Sequence, residues 1–489
     1  MQRSIKRLAP IALVAATALV LGACAPGGSG SDNKTTDTAT TAGTDTTAGA
    51  DTTSDTATET GDTTGTDTTQ DTGSQTGGIV TDAAQMGEVT ITLVDFWRDA
   101  EGDWMQASVD AFQAKYPNIH VNRVVQDWSQ IMDTAPLRLV EDDAPDVLTV
   151  NNGWQSLGAL AKGGLVVNLD PYAEAYGWDE FMPTTIKRQV TFTTDGKTMG
   201  AGSLWAAPSA RVQNIGIYYN KTLLASLGVE VPTTLAEFEA VCEAAKAAGI
   251  TPVTYGETDK PIATLFALQD ILGDKDAISD FIYGSPDVKV ADTGLGEAAA
   301  RMLEWSDKGW FTENYQGLSS GDANAKFLEG ESLFSFFYSG LVPGDQANRD
   351  EFGYLQLTQD SGLMVATGAP ADNLAIGAKS QHKDAAALLL DFLMSEEAAQ
   401  ITVDFGYMPS LHEANVPQDD ALIVQEVEAA QVTEADNGYV PYLDWTTPTM
   451  WDTVSTQIQL VLARQATPDE MVAAVQADFD AFLAEQAEG

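Results

Sequence analysis

Hydrophobic and polar residues alternate clearly for the first time in residues 88–94, which read EVTITLV. A period of two residues predicts a β-strand with one buried face. From Met105 to Tyr116 the hydrophobic residues recur every three or four positions, which predicts a helix that Pro117 ends. Residues 119–125 and 145–150 return to strand-like patterns. Strands that alternate with helices are typical of a parallel sheet with crossover helices.

The second half of the chain has the same α/β character. Two sequences of the capping-box type, Thr234–Glu237 and Thr467–Glu470, predict the starts of helices. The second helix runs to the C-terminus, with Pro468 at its first position. The remaining predicted elements are strands at 215–219 and 251–254, a helix that leads into a strand over 327–338, and a helix over 383–393.

The first 23 residues have the pattern of a secretory signal. Arg3, Lys6 and Arg7 precede a hydrophobic stretch over residues 11–21, which is too short to span a bilayer stably. The stretch ends in Leu-Gly-Ala-Cys at Cys24, which resembles a bacterial lipobox. The lipobox predicts lipidation of Cys24 and an anchor on the outer face of the cell membrane. The alternative is an ordinary signal peptide with a chance cysteine.

Residues 24–86 are rich in Thr, Asp, Gly and Ser and have almost no large hydrophobic side chains before Ile79. Such a segment cannot bury enough surface to offset its chain entropy, so we expect a disordered tether. A flexible chain of this length would span on the order of 45 Å. The folded body could then sit clear of a membrane.

The composition excludes several classes of protein. Among 489 residues, 25 Lys and Arg face 71 Asp and Glu, and the net charge of −46 argues against nucleic-acid binding. Two cysteines and three histidines leave little room for a zinc site, so we expect neither a metal nor a cofactor. Cys242 lies in a helical hydrophobic pattern, and we expect a buried thiol without a disulfide.

Aromatic and hydrogen-bonding residues follow two of the predicted strands. Trp97 and Arg98 come after the first strand, and Asn152 and Trp154 come after the third. In open α/β sheets, ligands bind outside the carboxyl ends of the strands. An indole face beside amide and charged groups suits a sugar ring, whose C–H face stacks on the indole. The alternative is that each tryptophan is a large core residue.

Five segments in a characteristic order carry a family resemblance: 144–172, 204–238, 325–340, 373–400 and 406–414. The chain resembles the extracellular solute-binding proteins of ABC importers, in the group that carries sugars and oligosaccharides. The resemblance implies an α/β, two-lobed periplasmic-binding-protein-like fold, close to type II. A ligand cleft lies between the lobes, and a hinge of several crossings joins them.

This resemblance sets the expected domains and hinge. The expected domains are a signal peptide (1–23), a tether (24–86), an N-terminal lobe (87–210 and 376–415) and a C-terminal lobe (211–375 and 416–489). We expect the first crossing at Pro208 to Arg211, the return near 375 and the last crossing near 415–424.

The resemblance also implies a set of ligand-binding residues. In this chain they are Trp97, Arg98, Glu101, Asn152, Trp154, Arg211, Gln213, Tyr338, Trp445 and Trp451. The family usually has tryptophan near Tyr338, so one stacking ring is replaced by tyrosine here. We expect Trp154→Ala to abolish ligand binding while leaving the fold intact.

The leading hypothesis is a monomeric, lipid-anchored receptor, without catalytic activity, that captures a mono- or oligosaccharide and delivers it to ABC permease subunits. One alternative is a receptor for a non-sugar solute such as a polyamine or a peptide. A secreted glycoside hydrolase is a further alternative, which would need two carboxylates at a defined separation. No eightfold βα repeat is visible for the commonest hydrolase scaffold.

Overall fold

The computed structural model describes residues 78–259, 262–369 and 373–488. The signal peptide, Cys24 and most of the expected tether lie outside the described residues. The strands are β1 Val89–Asp95, β2 Ile119–Val125, β3 Val147–Val150, β4 Thr191–Phe192, β5 Ser203–Leu204, β6 Gln213–Asn220, β7 Thr251–Thr254, β8 Ser332–Tyr338, β9 Phe352–Leu355, β10 Ala366–Ala369, β11 Asn373–Ile376 and β12 Tyr439–Val440.

Helices separate most of these strands. They are α1 Asp99–Lys115, α2 Trp128–Arg138, α3 Leu157–Lys162, α4 Asp170–Tyr176, α5 Thr184–Gln189, α6 Lys221–Leu227, α7 Leu235–Ala247, α8 Ala263–Leu272, α9 Lys275–Ile282, α10 Leu295–Asp307, α11 Ser320–Leu328, α12 Lys383–Leu393, α13 Glu396–Asp404, α14 Ala421–Ala435, α15 Met450–Leu462 and α16 Pro468–Glu488. Among the described residues, no helix combines the length and the hydrophobicity needed to cross a membrane.

Lobe 1 is built on a sheet with the strand order β11-β3-β1-β2. Strands β1, β2 and β3 run parallel, and β11 pairs with β3 in the antiparallel direction. Phe112 of α1 contacts Phe392 of α12 edge-on, with ring centroids 5.7 Å apart, and both rings are buried. Because β1 and β3 are parallel neighbours, their carboxyl ends lie at the same edge of this sheet.

Lobe 2 is built on the strand order β12-β10-β6-β8-β7, with β9 also paired to β6. Strand β8 is antiparallel to β6, and Tyr338 at its end pairs with Ile215 near the start of β6. Phe238 of α7 packs on Phe334 of β8 with centroids 4.6 Å apart. The end of β8 and the beginning of β6 therefore share one edge of the sheet.

The order of the described strands indicates three crossings between the lobes. The first passes through residues 208–212, between the bridge of Ala207 to lobe 1 and the start of β6. The second lies between β10 and β11. The third runs beside the first, because Val212 N donates to Met408 O at 3.0 Å and Ser410 N donates to Ala210 O at 2.7 Å. The hinge thus contains two hydrogen-bonded extended segments.

Two expected boundaries differ from the structure. Strand β11 already belongs to the lobe 1 sheet from Asn373, so the return precedes the expected residue 376. Residues 78–86 also belong to the folded body rather than to a tether. Ile79 and Met86 pack against the hydrophobic core, and Asn118 Nδ2 of lobe 1 donates to Ala83 O at 2.8 Å. These hydrophobic side chains give the segment a surface to bury.

Local capping signals fixed two helix starts as expected. At α16, Glu470 N donates to Thr467 Oγ1 at 3.2 Å, and Thr467 N donates to Glu470 Oε2 at 2.8 Å. At α7, Thr234 Oγ1 accepts from Glu237 N at 3.3 Å. The Glu237 carboxylate, however, accepts from Thr233 N rather than from Thr234. The predicted box at α7 is therefore only half reciprocal.

A buried ion pair in lobe 1 should be essential for stability. Arg123 Nε lies 2.6 Å from Asp95 Oδ2, the Asp95 side chain is fully buried, and that of Arg123 is 10% exposed. Replacing Arg123 by Met leaves an uncompensated buried carboxylate, so we expect the free energy of unfolding to fall by about 3–5 kcal/mol. Urea unfolding measures this loss.

The matched control is Arg138→Met, since Arg138 pairs with Glu141 at a surface where both side chains are more than 40% exposed. This variant should lose less than about 1 kcal/mol. Equal losses in the two variants would contradict the special role of the buried pair.

Candidate functional site

A cavity of about 410 Å³ lies between the lobes, at the edges where their strands end. Its lining combines aromatic rings with amide and carboxylate groups and includes no Lys or Arg among the described residues. The lining residues are Phe96, Trp128, Ser129, Met132, Asp133, Asn151, Gln155, Gln213, Tyr338, Tyr442, Asp444, Trp445 and Trp451. Its volume falls in the range of small-molecule sites.

The lobe 1 wall depends on the loop that follows β1. Arg123 Nη2 donates to Asp95 Oδ1 at 2.8 Å and to the carbonyl of Trp97 at 2.7 Å. Trp97 N donates back to Asp95 Oδ1 at 3.1 Å. This network fixes the backbone on both sides of Phe96. The Phe96 ring meets Trp128 edge-on with centroids 4.9 Å apart, and both rings line the cavity.

The lobe 2 wall carries a row of three rings. Tyr442 lies between Tyr338 and Trp445, with centroid distances of 6.3 Å and 5.1 Å. Its hydroxyl donates to the carbonyl of Gln213 at 2.9 Å, which ties residues 442–445 to the start of β6. Trp451, in the first turn of α15, adds a fourth ring. The two lobes therefore present aromatic surfaces to one shared space.

The loop after β3 touches lobe 2 directly beside this cavity. Trp154 N donates to the carbonyl of Trp445 at 3.1 Å. A Cβ atom on Gly153 would lie only 2.2 Å from the Trp445 Cα, so no larger residue fits without moving the backbone. This close contact brings Asn151 of lobe 1 next to Asp444 of lobe 2.

Asp444 is the buried carboxylate of the cavity, with 5% of its surface exposed. Burial raises its pKa to about 6, and hydrogen bonds from its own backbone N–H and from Asn151 oppose that rise. Asp133 is the second carboxylate of the described lining and lies at an exposed position. At neutral pH the cavity therefore combines aromatic rings with negative charge.

Residues 97–400 match the model of the family described as bacterial extracellular solute-binding protein. This match covers more than half of the chain. The chain belongs to the bacterial extracellular solute-binding proteins. It is similar to the Multiple sugar-binding protein of Streptococcus mutans serotype c, with 25% identity over 338 residues, or 67% of this chain and 76% of that one.

Further similarities concern a second sequence relative and the fold. The Probable sugar-binding periplasmic protein of Rhizobium meliloti is 29% identical over 223 residues, which are 41% of this chain and 51% of the relative. The maltose-bound T. maritima MalE3 structure superposes with a TM-score of 0.64 and 20% identity, covering 80% of this chain and 99% of that one. The structure of a chitin oligosaccharide binding protein superposes with a TM-score of 0.67 and 17% identity, covering 81% of this chain and 99% of that one. These structural likenesses confirm the expected two-lobed α/β fold.

The structure brings together four of the ten expected site residues in the cavity of this solute-binding protein: Gln213, Tyr338, Trp445 and Trp451. Arg98 instead pairs with Asp127 at 2.9 Å, with both side chains more than half exposed. Arg211 lies in the hinge, where Nη1 donates to Glu101 Oε1 at 2.7 Å and Nη2 to Ser339 O at 3.2 Å. The Arg211 guanidinium also lies 4.3 Å from the centroid of Tyr407.

Trp97, Asn152 and Trp154 lie in the packing behind the cavity wall. Trp97 is 1% exposed and meets Trp104 edge-on at 5.4 Å. Trp154 is 6% exposed, with Phe192 and Phe482 both 5.1 Å away. Asn152 accepts a hydrogen bond from Asn373. Neither indole lines the cavity in this structure, which argues against the expectation that they stack on ligand, and Trp154→Ala should instead destabilise the fold.

The cavity lining also includes Phe96, Trp128, Asn151, Tyr442 and Asp444, which were not among the residues expected from the sequence. The alternation along β1 does predict the position of Phe96. Ile91, Leu93, Asp95 and Trp97 share the buried face, so the alternation continues past the end of the strand and places Phe96 on the opposite side. The contacts across the lobes that position Asn151 and Asp444 leave no local pattern.

A second cavity, of about 490 Å³, lies behind the hinge of this solute-binding protein. Met408, Pro409 and Ser410 form part of its wall, together with Ile186 of lobe 1 and Ala430 of α14. The aromatic rings in its described lining are those of His412 and Tyr439. Although this cavity is larger, it lacks the facing aromatic surfaces of the first, which we therefore favour as the ligand site.

Three buried acids predict how stability depends on pH. Burial raises the pKa of Asp270 to about 7 and those of Glu426 and Asp444 to about 6. The folded protein then binds more protons than the unfolded chain between pH ~4 and ~7, so its free energy of unfolding should decrease as the pH rises through this window. Urea unfolding of the ligand-free protein at several pH values measures the slope.

The many acidic groups on the surface also repel one another less at low pH, and this changes the free energy of unfolding as well. A variant is therefore needed as a control. Asp270 Oδ1 accepts from Thr367 Oγ1 at 2.9 Å and Oδ2 accepts from Thr367 N at 2.6 Å. An asparagine can keep both contacts, because its oxygen can accept from Thr367 N while its amide N–H donates to Thr367 Oγ1. Asp270→Asn should therefore flatten the curve between pH ~5 and ~7. An identical slope in both proteins would contradict the assignment.

Proposed function

We propose that this protein captures a mono- or oligosaccharide outside the cell and delivers it, chemically unchanged, to the permease of an ABC importer. The observation that carries the proposal is that rings from both lobes line one cavity. Phe96 and Trp128 contribute from lobe 1, and Tyr442, Trp445 and Trp451 contribute from lobe 2. A pyranose ring has two faces that can stack on such surfaces.

The polar groups of the cavity suit the hydroxyls of a sugar. Asn151, Gln155 and Gln213 supply amides that both donate and accept, and Ser129 supplies a hydroxyl. Asp444 is an acceptor at the lobe contact. A few such groups among aromatic side chains orient a ligand and provide selectivity. The names of the Streptococcus and Rhizobium relatives, both described as sugar-binding, agree with this ligand class.

Lobe closure is the step that would commit the ligand. The first and third crossings form a narrow hydrogen-bonded hinge, so the lobes can rotate about residues 208–212 and 408–410. Rotation changes the distance between the two aromatic walls and excludes water from the polar groups. Delivery to the permease would then depend on recognition of the closed form.

A glycoside hydrolase remains the enzymatic alternative. Among the described lining residues, the two carboxylates are Asp133 on lobe 1 and Asp444 on lobe 2. Hydrolysis needs a fixed acid–base or acid–nucleophile pair, whereas here the separation of the two groups depends on the hinge. Chromatography of bound sugars after long incubation decides between the two functions, since a receptor returns them intact.

Trp451 provides a test of the cavity. It is only partly buried in α15, so Trp451→Ala should fold normally. Loss of one stacking ring is worth about 1.5–3 kcal/mol, so the affinity for the best sugar should fall about 10- to 100-fold. Isothermal titration calorimetry measures the change, after a thermal-shift screen of mono- and oligosaccharides has identified the sugar.

The matched control is Tyr116→Ala, a partly buried ring at the end of α1 that lies outside the cavity lining. It should bind the same sugar with unchanged affinity. Unchanged binding in Trp451→Ala would show that the ligand site lies elsewhere, and binding of no sugar by the wild type would contradict the proposed function.

The proposal includes a lipid anchor at Cys24, which is supported by the Leu-Gly-Ala-Cys sequence. We expect the full-length protein to fractionate with membranes and Cys24→Ala to appear in the soluble fraction or the medium, since the thiol that carries the lipid is lost. Immunoblotting of cell fractions measures the distribution. Cys242→Ala is the control, and an equal membrane fraction in all three proteins would rule out the anchor.

A further inference from the structure

The described lining of the cavity carries acidic side chains and no basic ones, in addition to its neutral polar groups. Its described lining contains Asp133 and Asp444 and no Lys or Arg. The two guanidinium groups expected there from the sequence have other partners. Arg98 pairs with Asp127, and Arg211 pairs with Glu101. The carboxylates of the cavity are therefore not neutralised by a described cationic side chain.

Asp444 is the more informative of the two carboxylates because it is 95% buried and still lines the cavity. Buried charges in proteins are normally paired with an opposite charge, because removing them from water costs free energy. Its own backbone N–H and the Asn151 side chain are neutral hydrogen-bond donors, and the described cavity lining offers it no Lys or Arg. A positive group supplied by the ligand would complete the pair.

The surrounding rings favour the same kind of ligand. Tyr442 and Trp445 flank Asp444 in sequence, and their rings lie 5.1 Å apart in the same wall. Aromatic faces attract cations, and Trp does so most strongly. The net charge of −46 would also increase the local concentration of cationic ligands and decrease that of anions.

We infer that the preferred ligand is a carbohydrate that carries a free ammonium group, and that Asp444 binds this group at the junction of the lobes. The inference rests on the proposed function and narrows its ligand class. The sugar rings stack between the walls, while the ammonium donates hydrogen bonds to the Asp444 carboxylate. Neutral sugars enter the same cavity and offer Asp444 hydroxyl donors, but they supply no positive charge to pair with it.

Two series of oligosaccharides with the same backbone, one with free amino groups and one N-acetylated, test this inference. Chitosan oligomers, which carry free amines, and chitin oligomers of the same length, which are acetylated, are titrated into the full-length protein at neutral pH and low ionic strength. We expect the amine series to bind at least about tenfold more tightly, because a hydrogen bond between charged groups is stronger than a neutral one.

The variant Asp444→Asn removes the charge and keeps the shape and the acceptor oxygen. It should reduce affinity for the amine series about tenfold or more and change affinity for the acetylated series by only a few-fold. Asp350→Asn is the charge-matched control. Asp350 is exposed and precedes β9, whose Phe352 pairs with Asn220 at the far end of β6, about 20 Å from the cavity residue Gln213.

The outcomes separate this inference from the proposed function. Equal or tighter binding of the acetylated series, or an equal effect of Asp444→Asn on both series, overturns the ammonium assignment while carbohydrate binding stands. Binding of spermidine with no binding of either series overturns both and makes the protein a polyamine receptor. If Asp350→Asn reduced the affinity for the amine series tenfold, the selectivity would come from the overall negative charge of the protein and not from Asp444.

Discussion

The architecture of the cavity depends on one close contact between the lobes. Gly153 approaches the Trp445 backbone so closely that even a methyl group would overlap with it, and the adjacent Trp154 N–H donates to the Trp445 carbonyl. This contact places the loop after β3 against the aromatic wall of lobe 2. It aligns Asn151 with Asp444 and leaves the Trp445 ring free to line the cavity. Trp154 supports the contact from behind through Phe192 and Phe482.

Local sequence patterns predicted the elements well because each pattern reflects contacts within one strand or one helix. The alternation in β1, the capping residues of α16 and the bounds of α12 all depend on neighbours a few positions apart. The family order of these elements then gave the two lobes and the hinge. The composition of residues 78–86 predicts a tether. Their few hydrophobic side chains instead pack on the folded body, and no local pattern reveals this because the partners are distant in sequence.

The candidate site was predicted only in part, for a physical reason. The sequence pattern shows that Trp97 and Trp154 follow predicted strands, but it does not show which side of the loop each ring occupies. The alternation along β1 carries Trp97 into the core and turns Phe96 outward. Similarly, the family resemblance suggested Arg98 and Arg211 as ligand contacts. Their acidic partners, Asp127 and Glu101, become neighbours only after folding.

The contact between Gly153 and Trp445 also limits how the lobes can move. A movement that pulled these loops apart would break the hydrogen bond to Trp445 and expose the buried rings of Trp154 and Phe482. Exposing each large hydrophobic side chain costs about 1.5–3 kcal/mol. A rotation about residues 208–212 and 408–410 that keeps this contact avoids that cost and separates Phe96 and Trp128 from the opposite wall. The same contact that holds Asp444 in the cavity therefore favours opening by rotation.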